Sequence, residues 1–303
     1  MTARPPRAIR PHGILPGADR VVDLGKLDPW RPKLVASDLD GTLLDEHGRV
    51  SARTREALDA CWAAGIPVVG VTGRGPRLLE TVHDALGGRG IAVLSQGGFV
   101  VDLEREEVLR TVAMPREHAV RVIEAIEGVA GDVTIAVEDA AEQGEVRTRL
   151  RVENGFDWPY PELSHVLERG EVMPEGAVLK VFLRSDTLDQ DQLLAHARAV
   201  VDPADAEVTH AGLGFIEVLP PGITKASGLQ MALDRYGVGF GDVLVFGDMP
   251  NDLPMLAAVQ DAGGRAVAVA NAHPEVRALT PHLTSGHRAD GVARYLEAVL
   301  PGV

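Results

Sequence analysis

The sequence predicts an α/β protein whose core is a parallel β-sheet covered by helices on both faces, with a second, α+β unit inserted into it. Short apolar runs alternate with helical stretches at both ends of the chain. The middle of the chain, residues 104–212, is more polar and breaks this rhythm. The length of 303 residues is sufficient for two ordinary domains.

The first half of the core is predicted from apolar runs that end in turn formers or charged residues. The expected strands are 33–37, 66–71 and 91–94, and the expected helices are 51–64 and 76–86. Ser51 has the side chain of a helix N-cap, and Gly65 and Pro67 end the helix that follows it. This order of elements is typical of a parallel sheet with helical crossovers.

The inserted unit and the second half of the core follow. In the insert we expect helices at 115–129 and 187–201 and strands at 132–138, 177–184 and 206–210, with turns over 139–176. The core resumes with helices at 225–236, 251–259 and 290–300 and strands at 243–246 and 265–272. The predicted division is a loosely ordered extension (1–32), a core (33–103 and 213–303) and an inserted domain (104–212).

Composition restricts the class of function. The net charge of −14 argues against a general nucleic-acid or acidic-membrane surface. No apolar run is long enough to cross a bilayer, and the first thirty residues lack the apolar stretch of a secretory signal. Cys61 is the only cysteine, which excludes an internal disulfide. We therefore expect a cytoplasmic protein. The expected oligomeric state, which composition does not determine, is a monomer or homodimer.

Two aspartates follow the first apolar strand. In "VASDLDGTLL" (35–44), side chains that alternate along an extended chain would point Asp38 and Asp40 the same way. Ligands of open parallel sheets lie beyond the carboxyl ends of the strands, where this pair is expected. Two close carboxylates favour a divalent cation, and oxygen ligands suit Mg²⁺. The alternative is a pair of solvated aspartates in a turn.

Two further segments could bind an anion. Thr72 and Gly73 follow the second strand, where a hydroxyl and open backbone amides can hold phosphate oxygens. Lys225 follows Thr224, a potential N-cap, and so stands at a helix N-terminus that attracts anions. The alternatives are an ordinary turn for the first segment and a solvated surface lysine for the second.

The fourth segment is "GDMPND" (247–252). Asp248 ends an apolar strand, and Asn251 and Asp252 open the next helix, where a carboxylate often only complements the helix dipole. Asp248 is nevertheless expected at the same sheet edge as Asp38 and Asp40. Three carboxylates that converge there would repel one another without a cation, so the sequence predicts a metal site.

These four segments, in this order, resemble the motifs of the haloacid dehalogenase superfamily of phosphatases and phosphotransferases. "DLDGTLL" (38–44) is similar to the first motif, Thr72 in "VTGR" to the second, Lys225 to the third and "GDMPND" to the fourth. The large insert and the form of the fourth motif resemble the Cof-like subgroup with an α/β (type IIB) cap. The resemblance covers residues 33–303 and implies a Rossmann-like core.

The resemblance also implies roles for individual residues. Asp38 would be the nucleophile that forms an aspartyl-phosphate, and Asp40 would be the general acid and base. Mg²⁺ would be held by Asp38, the backbone carbonyl of Asp40 and Asp248, with Asp252 orienting its waters or binding it directly. The transferring phosphoryl group would be held by Thr72, Gly73, Lys225 and Asn251.

One position departs from the subgroup. Its members often carry Asn-Gly-Ala after the third strand, where this chain has Ser95-Gln96-Gly97-Gly98. The amide of Gln96 could still donate a hydrogen bond, but its longer side chain makes a substrate contact doubtful. In the insert, His165 and the arginines at 147, 149 and 151 could reach a substrate, although an alternating pattern also fits an exposed strand face.

The resemblance implies a magnesium-dependent phosphatase of small phosphomonoesters, such as sugar phosphates. Two alternatives remain from the sequence. A phosphomutase or phosphotransferase would use the same intermediate, and a catalytically idle, metabolite-binding regulatory protein would use the same scaffold. Intact aspartates at 38 and 40 argue against the idle protein.

Overall fold

The structure, a computed structural model, describes residues 17–25, 27, 30–140, 148–158, 164–211 and 214–300. In chain order the strands are β1 (Leu34–Ser37), β2 (Val68–Val71), β3 (Ile91–Leu94), β4 (Phe99–Asp102), β5 (Glu107–Thr111), β6 (Val133–Asp139), β7 (Leu150–Glu153), β8 (His165–Leu167), β9 (Val178–Ser185), β10 (Glu207–His210), β11 (Ile216–Leu219), β12 (Val243–Gly247), β13 (Arg265–Val269) and β14 (His282–Thr284). The α-helices are α1 (Ala52–Ala63), α2 (Leu79–Leu86), α3 (Arg116–Ala130), α4 (Arg169–Val172), α5 (Gln190–Val200), α6 (Lys225–Tyr236), α7 (Leu253–Asp261), α8 (Pro274–Leu279) and α9 (Gly291–Val299).

Eight strands form the core sheet, in the order β14-β13-β12-β1-β2-β3-β4-β5. The six strands from β14 to β3 are parallel, and β4 and β5 extend the sheet as antiparallel strands. Strand β1 lies in the middle of the parallel part: β2 and β3 are added on one side of it, and β12, β13 and β14 on the other side. Such a switch point opens a crevice at the carboxyl ends of the strands.

Helices cover both faces of the core sheet, which explains why its central strands are continuous apolar runs. On one face, Val35 packs in a cluster with Leu58 of α1 and Leu296 of α9. On the other face, Val69 packs in a cluster with Leu229 of α6 and Leu256 of α7. The predicted α/β core is confirmed.

Six strands form a second sheet, in the order β10-β11-β9-β6-β7-β8, which with its helices forms the cap. All its pairings are antiparallel except that of β7 with β8. Helices α3 and α5 cover one face, where Ile123 and Leu193 join a cluster with Val181 of β9. The opposite face carries Phe182, Phe215 and the neighbouring Trp158, and it faces the carboxyl ends of the core strands.

The predicted helices and strands are found within a few residues, but several strands were not predicted. Strands β7 and β8 lie where turns were expected over 139–176, and β4, β5, β11 and β14 were also missed. At both junctions the pairing differs from the predicted division. Residues 107–111 pair with the core sheet and residues 216–219 pair with the cap sheet, so the pairing favours boundaries near 112 and 220.

The expectation of a loose extension over residues 1–32 differs from the structure of its described part. Ala18 is buried, and the backbone N–H of Val22 donates to Ser285 Oγ at 2.9 Å. The Arg265 guanidinium lies 4.8 Å from the ring centroid of Trp30. A hydrogen bond, an apolar contact and a cation–π contact therefore hold these residues against the core. Residues 1–16, 26, 28 and 29 lie outside the described part. Among the described helices, none has the length and apolar character needed to span a membrane.

Candidate active site

Polar residues directly follow four neighbouring core strands and so lie at the edge of the sheet where the carboxyl ends of these strands meet. Strands β12, β1, β2 and β3 lie side by side, and directly after them come Asp248, Asp38, Thr72 and Ser95. Residues 38 and 248 therefore lie on the same edge, as the sequence predicted, and not on opposite ends of the sheet.

Three buried carboxylates meet at this edge. Oxygen atoms of Asp38, Asp248 and Asp252 all lie within 4.8 Å of one another. The Lys225 ammonium donates to Asp38 Oδ1 at 2.5 Å and to Asp252 Oδ1 at 2.6 Å. Three carboxylates and one ammonium leave two negative charges without a partner inside the cluster, which is the charge of one divalent cation.

The pKa values reflect this excess of negative charge. Burial raises the pKa of Asp38 to about 7; the Lys225 ammonium opposes this rise, and the carboxylates of Asp252 and Asp40 add to it. Burial, with Asp38 and Asp252, also raises the pKa of Asp248 well above its ordinary value. Burial by itself would lower the pKa of Lys225, but the carboxylates of Asp252 and Asp38 outweigh it and the pKa is raised. Hard oxygen ligands with unmatched charge fit a hard dication such as Mg²⁺.

Asp252 holds the cluster in place through hydrogen bonds with the backbone and with Lys225. Its Oδ2 accepts the backbone N–H groups of Asp248 and Met249, both at 2.9 Å, while its Oδ1 accepts from Lys225. Because its carboxylate already accepts three hydrogen bonds, two of them on Oδ2, Asp252 is better suited to orienting the cluster than to direct metal ligation. The capping geometry of the turn at Pro250–Asp252 fixes its position.

A glycine at position 41 allows the first motif to approach Asp248. Gly41 has φ +82°, and a Cβ there would collide with Asp248 Oδ2. Thr42 Oγ1 donates to Asp248 Oδ1 at 3.2 Å, and the amide of Asn271 donates to the Gly41 carbonyl at 2.8 Å. The turn over residues 39–43 is thereby held against the end of β12.

The side chain of Asp40 lies outside the three-carboxylate cluster. Strand β1 ends at Ser37 and residues 39–43 form a tight turn, so the expected strand alternation does not extend to Asp40. Its carboxylate accepts two hydrogen bonds from Arg74, at 2.8 Å from Nε and 2.7 Å from Nη2. Asp38 and Asp40 nevertheless line the same cavity. Arg74 belongs to the second motif, but the sequence assigned it no role.

Three of the four predicted phosphate-binding residues line this cavity, which has a volume of about 100 Å³. Thr72, Gly73 and Asn251 line it, and Lys225 lies buried beside Asp38. Asn251 Nδ2 donates to Gln96 Oε1 at 3.4 Å, while Asn251 Oδ1 is buried and has no hydrogen-bond partner among the described residues. Helix α6 brings Lys225 into place because Gly228 packs directly on Gly97, where side chains would collide.

Gln96 links the core to the cap. Ser95 and Gln96 both have positive φ, 49° and 57°, which turns the Gln96 amide into the cavity. Its Nε2 donates to Glu217 Oε2 of the cap at 2.7 Å. The departure noted in the sequence is therefore a polar contact between the two units.

The cap residues at the cavity were not the ones that the sequence singled out. His165 and Arg149 are exposed, Arg151 forms an ion pair with Asp139, and none of these three lines the cavity. Residue 147 lies outside the described residues. The cavity is instead lined from the cap by Trp158, Lys180, Phe182, His210, Ala211, Phe215 and Glu217. The missed signal was a single charge inside an apolar run, as in "VLKVFL" and "FIEVL".

Comparison with known proteins agrees with this geometry. A family model of haloacid dehalogenase-like hydrolases matches residues 35–296. The chain is 28% identical over 261 residues to the phosphoglycolate phosphatase of Methanothermobacter thermautotrophicus, covering 86% of this chain and 96% of that one. It is 27% identical over 296 residues to the 5-amino-6-(5-phospho-D-ribitylamino)uracil phosphatase of Bacillus subtilis, covering 89% and 99%.

A solved structure shares the whole fold. A haloacid dehalogenase-like hydrolase from Bacteroides thetaiotaomicron superposes with a TM-score of 0.68 at 25% identity, covering 89% of this chain and 100% of that one. The family match spans most of the chain, including all four motifs and the cap. The chain therefore belongs to the haloacid dehalogenase-like hydrolase family, as its motifs predicted, and its enzyme class is that of a phosphatase.

Proposed function

We propose that the protein is a magnesium-dependent phosphatase that hydrolyses small phosphomonoesters through an aspartyl-phosphate on Asp38. One observation carries this proposal: Asp38, Asp248 and Lys225 meet in one buried cluster directly beneath a cavity that Thr72 and Asn251 also line. A nucleophile, a cation-binding oxygen set and groups suited to phosphate oxygens are the parts that phosphoryl transfer requires.

The first half-reaction transfers the phosphoryl group to the protein. A carboxylate oxygen of Asp38 attacks phosphorus, and the bond between phosphorus and the ester oxygen breaks. Asp40 donates a proton to the departing oxygen, for which it has to leave its two hydrogen bonds with Arg74. Lys225 holds Asp38 Oδ1 and balances part of the charge of the cluster.

The second half-reaction releases phosphate. Asp40, now a carboxylate, takes a proton from a water molecule that attacks the phosphorus of the aspartyl-phosphate. The bond to Asp38 breaks, inorganic phosphate leaves, and the Asp40 proton is available for the next cycle. The Arg74 pair suits this basic form of Asp40, because a bidentate guanidinium stabilises a carboxylate. Covalent catalysis of this kind replaces one difficult displacement with two easier ones.

The residues that would hold Mg²⁺ are Asp38, Asp248 and the backbone carbonyl of Asp40, with Asp252 orienting them. When bound, the ion would neutralise the two unmatched charges and polarise the phosphoryl oxygens. Thr72, Gly73, Lys225 and Asn251 would hold those oxygens as charge develops on them. Asn251 would use its amide nitrogen for this, since the hydrogen bond from Nδ2 to Gln96 Oε1 is long at 3.4 Å, while its buried Oδ1, which has no partner among the described residues, could accept from a hydroxyl or water.

The substrate is a small phosphorylated metabolite. The cap covers the catalytic edge and leaves a cavity of about 100 Å³, which suits a short leaving group and excludes a folded protein substrate. Transfer of the phosphoryl group to a sugar hydroxyl remains the alternative, since it needs the same residues up to the intermediate. Comparison of turnover with and without a bisphosphate activator separates the two.

The test is a phosphatase screen over sugar phosphates, nucleotides and flavin mononucleotide, with Mg²⁺ or with a chelator. We expect release of inorganic phosphate only with the metal. Asp38→Asn should lower kcat by at least about 10⁴-fold, because the amide is not a nucleophile, while substrate binding by calorimetry persists. Turnover by Asp38→Asn at the wild-type rate would contradict the proposal.

A further inference from the structure

Three charged residues lie on the face of the cap sheet that is turned toward the catalytic edge. Glu138 of β6, Lys180 of β9 and Glu217 of β11 are on adjacent strands, and each is at most 2% exposed. Between them on this face lies an apolar cluster that includes Ala136, Phe182 and Phe215. Buried charges are costly unless they are paired, so their partners indicate what the cavity can accept.

Each cation on the cap side of the cavity is matched by a carboxylate. Lys180 Nζ donates to Glu217 Oε1 at 2.8 Å and to the Gly73 carbonyl at 2.5 Å. Arg77 Nη1 donates to Glu138 Oε2 at 2.5 Å. The contacts of Lys180 with Gly73 and of Arg77 with Glu138 join the cap to the loop after β2. The two cations and two carboxylates balance in charge among the described residues on this side of the cavity.

Aromatic rings hold both cations in these positions. The Arg77 guanidinium lies 5.1 Å from the ring centroid of Trp158, and Lys180 Nζ lies 4.5 Å from that of Phe182. Cation–π contacts of this kind stabilise a desolvated cation where it is. The cations are therefore restrained toward their carboxylates and are not extended toward a ligand.

The remaining ionisable group on the cap side is a histidine. Burial lowers the pKa of His210, although Asp191 opposes this, and so favours the neutral ring, which exchanges hydrogen bonds and carries no charge. Within the described part of the chain, the cap side of the cavity thus offers no unmatched positive charge. A second anionic group on a substrate would meet Glu217 there, in a protein with a net charge of −14.

We propose that the cap side of the cavity selects phosphomonoesters whose leaving group is uncharged and carries hydroxyl groups, and that Glu217 is the specificity-determining residue. This inference rests on the proposed phosphatase function. Glu217 neutralises Lys180, and each of its oxygens accepts one hydrogen bond from the protein, from Lys180 and from Gln96. Each oxygen keeps a second acceptor position, which suits a substrate hydroxyl and repels a carboxylate or a second phosphate.

The test compares two probes that differ at one carbon. Glycerol 1-phosphate ends in a hydroxymethyl group and 3-phosphoglycerate ends in a carboxylate. We expect wild-type kcat/KM to favour glycerol 1-phosphate by at least about tenfold, since like-charge contacts of this type cost several kcal/mol and 1.4 kcal/mol is a factor of ten. The Asp38→Asn variant, which cannot turn over, should show the same preference in calorimetric Kd values.

The decisive variant is Glu217→Gln, which has the same shape without the charge. With Lys180 unmatched, we expect the preference for glycerol 1-phosphate over 3-phosphoglycerate to fall at least about tenfold or to reverse. A variant that is merely damaged would lose activity on both probes and keep their ratio. Glu124→Gln, an exposed change on α3 with the same loss of charge, is the control and should leave the ratio unchanged.

The outcomes separate this inference from the function on which it rests. No phosphate release from any ester would contradict the phosphatase, while the calorimetric comparison with Asp38→Asn would still measure the preference. A wild-type preference for 3-phosphoglycerate, or an unchanged ratio in Glu217→Gln, would overturn the inference and leave the phosphatase standing.

Discussion

At the scale of single residues, the site depends on the hydrogen atom that Gly41 has in place of a side chain. Its φ of +82° turns the chain sharply after Asp40, and its Cα lies against the carboxylate of Asp248. Two motifs separated by about two hundred residues in the sequence can meet only because this position is small. Positive φ and close approach both require glycine here.

We predict that Gly41→Ala lowers kcat/KM by about 100-fold and weakens activation by Mg²⁺, because the methyl group displaces Asp248 from Asp38. The measurement is the rate as a function of Mg²⁺ concentration. Gly237→Ala is the matched control, since Gly237 has φ +66° and ψ 32° but no atom of the described residues within 4 Å of the methyl group that alanine would add. Both variants should lose roughly 1–2 kcal/mol of stability from backbone strain. Equal Mg²⁺ dependence in the two would contradict the role of Gly41.

The positions of the polar residues at the carboxyl edge of the core sheet were predictable because their signals are local. Asp38, Thr72 and Asp248 each follow an apolar strand, and Lys225 follows a helix N-cap. The adjacent residues in the sequence therefore indicate where each of them lies in the fold. Glu217 has no such local context, because its partners Lys180 and Gln96 lie 37 and 121 residues away. Contacts of this kind depend on strand pairing, which composition and periodicity do not specify.

At the scale of elements, helix α1 shows how burial against the sheet changes chemistry. Ser51 caps the helix by accepting the Thr54 N–H, and the inner face presents Leu58 and Cys61 to the core. Cys61 is fully buried, and burial raises the pKa of its thiol from 9.0 to about 11. The protonated form is favoured because the thiolate would lose its hydration.

This pKa predicts how stability depends on pH. The folded pKa lies above the unfolded one, so the protonated thiol contributes its full stability below pH 9, and this contribution is lost as pH rises from 9 to about 11. The slope for this one group is at most about 1.4 kcal/mol per pH unit. Denaturant unfolding of the wild type and of Cys61→Ala over this range measures it. Identical slopes would contradict the assignment.

The same burial gives a kinetic consequence for Cys61. A thiol-directed disulfide reagent at pH 8 should react with the folded protein only as fast as the core opens, and at once with the unfolded protein. Rapid labelling of the folded protein would show that the inner face of α1 is accessible.

Elements were predicted well where burial on both faces makes a long apolar run, as in β1, β2 and β12. They were missed where one face is polar or where the strand is short. Strand β8 has three residues, two of them exposed, and β11 was hidden by the charge of Glu217. Strands β4 and β5 join the core sheet as antiparallel strands, which the alternation of strands and helices does not predict.

At the scale of the whole molecule, two units meet through a few buried polar contacts. The loop after β2 brings Gly75 against Glu138 of the cap, and Arg77 pairs with the same carboxylate. Thr148 Oγ1 donates to Glu138 Oε1 at 2.5 Å and so fixes it from the cap side. Cap position and cavity shape are therefore coupled through this contact.

We predict that Gly75→Ala raises KM about tenfold, because its methyl group would occupy the place of the Glu138 carboxylate and push the cap away. Gly75 has φ −82°, so the substitution adds no backbone strain of its own. Gly176→Ala, at a cap position with no atom within 4 Å of the added methyl group, is the control. Steady-state kinetics on a small phosphomonoester distinguish them, and an unchanged KM in Gly75→Ala would show that the contact does not shape the cavity.

The most direct test of the account is the location of the phosphoryl group during turnover. The wild-type enzyme is mixed with a phosphomonoester and Mg²⁺, quenched in acid within a single turnover, and its peptides are analysed by mass spectrometry. We expect one phosphoryl group on Asp38, absent with chelator and absent in Asp38→Asn. Phosphate released at the same rate with no modification of Asp38, or with the modification on another residue, would contradict the account.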